Sequence, residues 1–419
     1  MSFLNAEVAR QIAESVGTPV YVYDAERLRA QAETALALPN AFGLNVRYAM
    51  KAAPNAAILR LFCELGLHID ASSGYEVRRA LEAGVPGERI SLSAQEIPGE
   101  ADFRALIEAG MRFNACSPRQ LETYGRLFPG SEVGVRFNPG LGSGATQKTN
   151  VGGPGSSFGI WHEKLPEVQA IAARHGLTIV RVHSHIGSGA DPVVWDRAAR
   201  LTLDLVTPLA DVRTVNLGGG FKVARIEAEK ATDLMQVGQT LKVAFEEFAA
   251  REGRQLRLEI EPGTFLVANA ASLLCRVGDV VDTGASGHRF LKLDTGMTEI
   301  LRPSLYGSQH PIRIFAAPDA ASAPAVVVGH CCESGDLLSP APGEPEVLSE
   351  RDLPACQPGD LCAIDGVGAY CSSMSAKNYN SFPEAPEVLL EPGQAPRLIR
   401  RRQALADLWK NETDEPLAG

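Results

Sequence analysis

"VRYAMKAAPNAAILRLFCELGLHIDASSGYEVRRALEAGVPGERISLSA" (residues 46–94) holds three short β-type runs, "VRYAM", "HIDAS" and "RISLSA". Between them lie "NAAILRLFCELG" and "SGYEVRRALEAG", with apolar residues three and four apart and a glycine at the end of each, the pattern of a short helix facing a core. The same rhythm continues through "RFNAC", "EVGVRFN", "TIVRVHSHI", "TVNLG" and "LRLEIEP", with "GEADFRALIEAG", "PRQLETYGRL" and "EVQAIAARHG" among the intervening helical patterns. Eight strand runs within residues 46–262, most of them followed by a helix, predict a (β/α)8 barrel.

Beyond Phe265 the texture changes. "SLLCRVGDVVDTG", "HRFLKLD", "IRIFAAP", "APAVVVG", "DLCAIDGVGAY" and "PEVLLE" read as strands parted by Pro/Gly turns, with little helical periodicity until "RRQALADLWK". The expectation is a barrel over residues 26–268 and a mainly β domain, a sandwich or barrel, built from residues 269–419. The early run "TPVYVYD" precedes the barrel count, so residues 1–25 are expected to join that β domain. "PGLGSGATQKTNVGGPGSSFG" (139–159) is a long glycine-rich loop of the kind that carries function or motion.

Composition narrows the partners. A net charge of -10, with no basic cluster except "RLIRRR" (397–402), argues against nucleic acid and against an anionic membrane. No apolar run reaches the roughly 18 residues of a membrane span. The eight cysteines show no metal-type spacing, and the first residues resemble a polar-interrupted helix rather than a signal peptide. A reduced, cytoplasmic protein with a small-molecule ligand and no metal is the expectation.

Barrel chemistry sits at the C-terminal ends of the strands. There stand Lys51, Ser72, Ser93, Asn138, His185, the run Gly218, Gly219 and Gly220, and Glu261. Taken singly, each has a plain reading: Lys51 as a strand-end amine reaching water, the glycines as a turn. Together on one rim they suggest a phosphorylated ligand. Pyridoxal 5′-phosphate needs such a set: an amine for a Schiff base, a backbone phosphate cradle, a flat ring neighbour and a partner for the pyridine nitrogen.

The motifs "YAMKA", "HSHIGSG", "NLGGGF", "EPG", "RPSLYG", "CESGD" and "GAYCSSMSAKNYNSFPEAPEVLL" run in order from residue 48 to 390. In them the chain resembles the fold-type III pyridoxal phosphate-dependent decarboxylases, and within these the branch acting on diaminopimelate. The resemblance implies that Lys51 holds the cofactor, His185 stacks on its ring, Ser188 and Gly218–Gly220 bind its phosphate, and Glu261 meets the pyridine nitrogen. It assigns Arg302 and Tyr306 to a substrate carboxylate and places Tyr370 near phosphate and substrate. Cys332, as proton donor, and Glu333, facing the distal ammonium, would come from the other subunit of a homodimer. His183 reads as inward barrel packing, and Cys331 as a small strand residue pointing away from Cys332.

One position departs from the family. Where the motif commonly reads EPGR, this chain has Thr264, so a positive charge at the phosphate and substrate end is missing. Either another basic residue takes its place or the substrate has one anionic group fewer. The implied reaction is decarboxylation of meso-2,6-diaminopimelate to L-lysine and carbon dioxide. The alternatives are a decarboxylase of lysine, ornithine, carboxynorspermidine or a siderophore or antibiotic precursor; an alanine racemase-like enzyme, against which Glu261 counts; and a non-catalytic regulatory homologue, against which Lys51 and Cys332 count.

Overall fold

The computed structural model describes residues 3–142, 152–185, 187–316 and 319–415. Two compact units emerge: Leu28–Ala224 with Ala228–Val267, and Met1–Arg27 with Arg225–Glu227 and Ala268–Gly419. In the first, the eight strands are Leu44–Ala49, His68–Ala71, Ile90–Leu92, Arg112–Ala115, Glu132–Asn138, Thr178–Ser184, Thr214–Asn216 and Arg257–Ile260. Each pairs in parallel with its neighbour, and Leu258 opposite Leu44 closes the ring. The expected barrel is present, strand for strand.

Local chemistry sets the helices between the strands. Asn55, Ser73 and Ser117 cap Ala56–Glu64, Gly74–Glu82 and Pro118–Leu127, each accepting a backbone N–H of the first turn and so satisfying a donor the helix leaves open. The alternation is not complete, however. After the eighth strand comes only the single turn Thr264–Val267, and after the seventh an extended segment precedes the helix Leu234–Glu252. Part of the glycine-rich loop, residues 143–151, and Ile186 of "HSHIGSG" lie outside the described residues.

The barrel interior carries a charged layer. Arg47, on the first strand, and Arg181, on the sixth, converge on Glu259 of the eighth, with 2.9 Å between Arg47 Nη2 and Glu259 Oε1 and 3.2 Å between Arg181 Nε and Glu259 Oε2. Asn45 adds a hydrogen bond of 3.0 Å to Oε1. Arg47 and Glu259 are fully buried. Such charges are tolerated in an interior only when paired and hydrogen-bonded.

The second unit is built on a nine-stranded sheet. Val20–Asp24 runs antiparallel to Ala271–Asp282 (Val20 opposite Leu274) and parallel to Glu387–Leu390 (Tyr21 opposite Glu387), so the N-terminal strand does join the β domain. Helix Ala6–Val16, capped by Asn5, buries Ala9, Ile12 and Ala13 in a cluster with Val20, Val22, Leu274 and Val388. Two expectations need correction. "RRQALADLWK" forms only the 3-10 turn Leu405–Leu408, because its apolar residues have no face to bury and Leu405 and Trp409 stay exposed. Cys331 lies in a bend beyond the strand Ser322–Val328, not in a strand, and is held there by Asp336.

Candidate active site

Lys51 follows the first strand in a short 3-10 turn, its amine donating to Ser72 Oγ at 3.1 Å and lying 3.6 Å from Asp70 Oδ2. The Lys51 side chain keeps 42% exposure whereas Asp70 keeps 3%. Burial, and after it the Glu261 charge, push the Asp70 carboxyl well above the usual range, against the pull of Lys51. A plain strand-end lysine reaching for bulk water would not be drawn back over a buried carboxyl. The inward residue Asp70 was open to view in "HIDAS", a carboxylate inside a β run, and sequence reading passed over it for Ser72.

Glu261 follows the eighth strand and accepts from Asn216 Nδ2 at 2.5 Å. Its other oxygen lies 3.3 Å from His183 Nε2. His183 is fully buried, with Nδ1 3.3 Å from Ser93 Oγ, which in turn accepts from Asn114 at 2.9 Å. The reading of His183 as packing alone therefore falls short, since its ring links Ser93 to Glu261. Burial holds the His183 imidazole below its ordinary value, hence neutral at pH 7. For Glu261 burial acts in the opposite sense, but His183, Lys51 and His185 outweigh it and keep the carboxylate ionised.

The triple glycine is where three rim segments meet. A Cβ on Gly218 would stand 2.4 Å from His185 Nδ1, one on Gly219 2.0 Å from the Glu261 carbonyl oxygen, and one on Gly220 1.8 Å from the Gly187 carbonyl oxygen. Gly218 and Gly220 also take φ of +73° and +99°, where only glycine is unstrained. His185 accepts the Gly219 N–H at 3.3 Å, and burial followed by the Arg136 and Lys51 charges holds its ring well below the usual imidazole value. Ser188 and Gly189 border a cavity of about 480 Å³ that is also lined by Lys222 and Lys230. The Gly189 carbonyl is pinned by Trp195 Nε1 and Thr232 Oγ1, both at 3.1 Å.

Arg136, on the fifth strand, was not singled out by sequence. Its guanidinium stacks 3.6 Å from the centroid of Phe158, and Nε and Nη2 are buried with no hydrogen-bond partner among the described residues. Asn138, by contrast, fastens the loop, bonding Gly153 through both its amide atoms at 2.8 and 2.9 Å. The barrel unit thus assembles Lys51, His185, Gly218–Gly220 and Glu261 on one rim, with Ser188 beside the cavity. An amine, a neutral flat ring, an ionised carboxylate and a side-chain-free backbone cradle are the donor set pyridoxal phosphate requires, so these residues fit that group.

The remaining candidates stand in the β unit. Arg302 and Tyr306 open and close one short helix, with the guanidinium 5.5 Å from the tyrosine ring. Cys332 is exposed, its N–H donating to Asn380 Oδ1 at 2.9 Å, and Glu333 Oε1 accepts from Gly335 at 3.0 Å. Asp336 organises that turn, accepting from Met297 at 2.6 Å and Cys331 at 2.9 Å, while a Cβ on Gly296 or Gly329 would meet its carboxylate. Tyr370 is half-buried at a φ of 56°, a conformation that costs energy for a non-glycine residue and that clusters at functional sites. No group able to hold a metal occurs among the described residues, nor any helix long and apolar enough to cross a membrane.

Comparison with known proteins shows the family. Diaminopimelate decarboxylase of Streptomyces coelicolor is 39% identical over 410 residues, covering 95% of this chain and 90% of that protein. A crystal structure of diaminopimelate decarboxylase superposes with a TM-score of 0.89 at 37% identity, covering 97% of this chain and 96% of the other. That of the Helicobacter pylori diaminopimelate decarboxylase complexed with L-lysine gives 0.84 at 29% identity, covering 96% and 98%. The family model for the pyridoxal binding domain of pyridoxal-dependent decarboxylases matches residues 26–268, the stretch that carries Lys51, His185, the triple glycine and Glu261, and the chain belongs to that family.

Proposed function

We propose that the protein decarboxylates meso-2,6-diaminopimelate to L-lysine and carbon dioxide with pyridoxal 5′-phosphate, as a cytoplasmic homodimer. The observation that carries the reaction type is Glu261, a carboxylate positioned by Asn216 and, against burial, kept ionised at the rim by His183, Lys51 and His185. A bound pyridoxal phosphate supplies a carbon that forms a Schiff base with an amine, and a ring that takes up an electron pair while its nitrogen is protonated. Glu261 would hold that nitrogen's proton. A racemase-like enzyme is expected to have an arginine there, which weakens the electron uptake.

The other roles follow from the chemistry of each group. Lys51, drawn toward Ser72 and Asp70, is the amine that would hold the cofactor and yield it to the substrate amine. Neutral His185 would lie flat on the ring, and Ser188 with Gly218–Gly220 would hold the phosphate. Arg302, with its planar fork, and Tyr306 would bind the carboxylate that is retained. Cys332 would return a proton to the α-carbon, Glu333 would meet the distal ammonium from the other subunit, and Tyr370 would contact phosphate and substrate. Support for the substrate comes from the diaminopimelate decarboxylases that align over nearly the whole chain.

The test is product identification by mass spectrometry with the cofactor present, offering meso-diaminopimelate, lysine, ornithine and carboxynorspermidine separately. Lysine formed from diaminopimelate alone is the expected result. Turnover of another member of the set in its place overturns the substrate and leaves the decarboxylase chemistry standing.

A further inference from the structure

Around Arg302 the β unit holds two further basic groups, Arg225 and His310, that the roles above do not use. Arg302 places Nη2 3.5 Å from Ser308 Oγ, and its Nε is buried with no hydrogen-bond partner among the described residues. A second arginine comes from Arg225–Glu227, three residues that follow the triple glycine in sequence yet belong to this unit. Arg225 Nε donates to the Gly366 carbonyl at 3.0 Å, and a Cβ on Gly366 would stand 3.0 Å from Arg225 Cγ. The neighbouring carbonyl, that of Asp365, accepts from His310 Nδ1 at 3.1 Å. Consecutive residues, Asp365 and Gly366, thus anchor His310 and Arg225.

A carbonyl can only accept, so the proton of a neutral His310 sits on Nδ1 and the lone pair on Nε2, which is buried without a hydrogen-bond partner among the described residues. Burial first, and then the Arg225 and Arg302 charges, hold this imidazole well below its ordinary value. The same two guanidinium groups act on the buried thiol of Cys371, next to Tyr370. Two guanidinium groups and a neutral imidazole therefore form one neighbourhood. Two planar guanidinium forks in one neighbourhood match the geometry of a carboxylate.

We propose that Arg225 binds the substrate carboxylate together with Arg302, as a second arginine for that group in a chain that has Thr264 where the family motif has arginine. His310 is a positioning residue: as a neutral ring it adds no third charge. The inference rests on the amino-acid decarboxylase reading above, since that reading provides the retained carboxylate.

Holoenzyme is titrated calorimetrically with L-lysine, which has a carboxylate, and with cadaverine, the same diamine chain without one, for wild type, Arg225→Gln and Arg225→Lys. Lysine binding is expected to weaken roughly tenfold or more in Arg225→Gln and by less in Arg225→Lys, with cadaverine binding unchanged in both. In parallel, KM for diaminopimelate should rise while kcat changes little. Lysine affinity within twofold of wild type, or equal losses for lysine and cadaverine, overturns the proposal. If Arg225→Gln does not fold, Arg225→Lys is read by the same criterion, because it keeps the charge and loses the fork. Wild-type protein that makes no lysine from diaminopimelate overturns the substrate reading instead, and the contrast between lysine and cadaverine still decides the role of Arg225.

Discussion

Glu259 and Glu261 stand two residues apart on and just beyond the last barrel strand, where a period of two turns both side chains to the same face. Both are nearly inaccessible, at 0% and 6% exposure, and both are ionised. Their partners differ in kind. Glu259 is closed in by two arginines and an asparagine, all its charge spent on Arg47 and Arg181. Glu261 is held by neutral groups, Asn216 and His183, which fix its position without cancelling its charge. One layer of the barrel is a plug, and the next is an instrument whose charge is left for a ligand.

Four variants bear on that contrast. Lys51→Ala should abolish turnover while leaving the thermal midpoint near wild type, since the amine is partly exposed and only its chemistry is lost; retained activity would break the Schiff-base role. Glu261→Gln should lower kcat by roughly 100- to 1000-fold with a small change in stability, because the amide keeps the Asn216 contact region filled and removes only the charge. A stability loss without a kcat loss would place Glu261 with the plug.

Glu259→Gln should behave in the reverse way, costing about 3–5 kcal/mol in urea unfolding because two buried arginines lose their counter-charge, with kcat of the folded fraction preserved. Its pH dependence gives a sharper reading. Burial opposes ionisation of Glu259, but Arg47 and Arg181 prevail and hold its carboxyl far below the ordinary range. A depressed folded-state value contributes stability above the unfolded carboxylate pKa of about 4.3, and that contribution is lost as pH falls toward the folded value. The wild-type urea midpoint should therefore fall between about pH 5 and pH 3 more steeply than that of Glu259→Gln; parallel acid limbs would remove Glu259 from the balance. Smallest is Gly219→Ala, whose Cβ meets the Glu261 carbonyl at 2.0 Å. A strain of roughly 1–3 kcal/mol should weaken cofactor binding about tenfold, measured by absorbance titration.

Reading from sequence reached the barrel because most strands and helices announce themselves locally, by period and by a glycine just past the helix end, as at Gly66 and Gly84. The rim residues at strand ends, Lys51, His185 and Glu261, were legible for the same reason. Asp70 was visible as a carboxylate in a strand run and Asn216 as an ordinary polar residue, but the role of each depends on which inward side chains face each other across the ring. His183 read as packing, and only the closed barrel showed it bridging Ser93 and Glu261. Arg225 lies in a segment with no periodicity, and its unit is not that of the glycines it follows.

The sequence by itself determined the order of elements and pointed to a cofactor class and to an amine that would hold it, because these rest on local periodicity and on motifs whose chemistry is carried by adjacent residues. Tertiary structure alone decided which of two like glutamates is neutralised and which keeps its charge. That difference lies in the partners brought by the first, sixth and seventh strands, and a burial environment assembled from distant segments cannot be read along one of them.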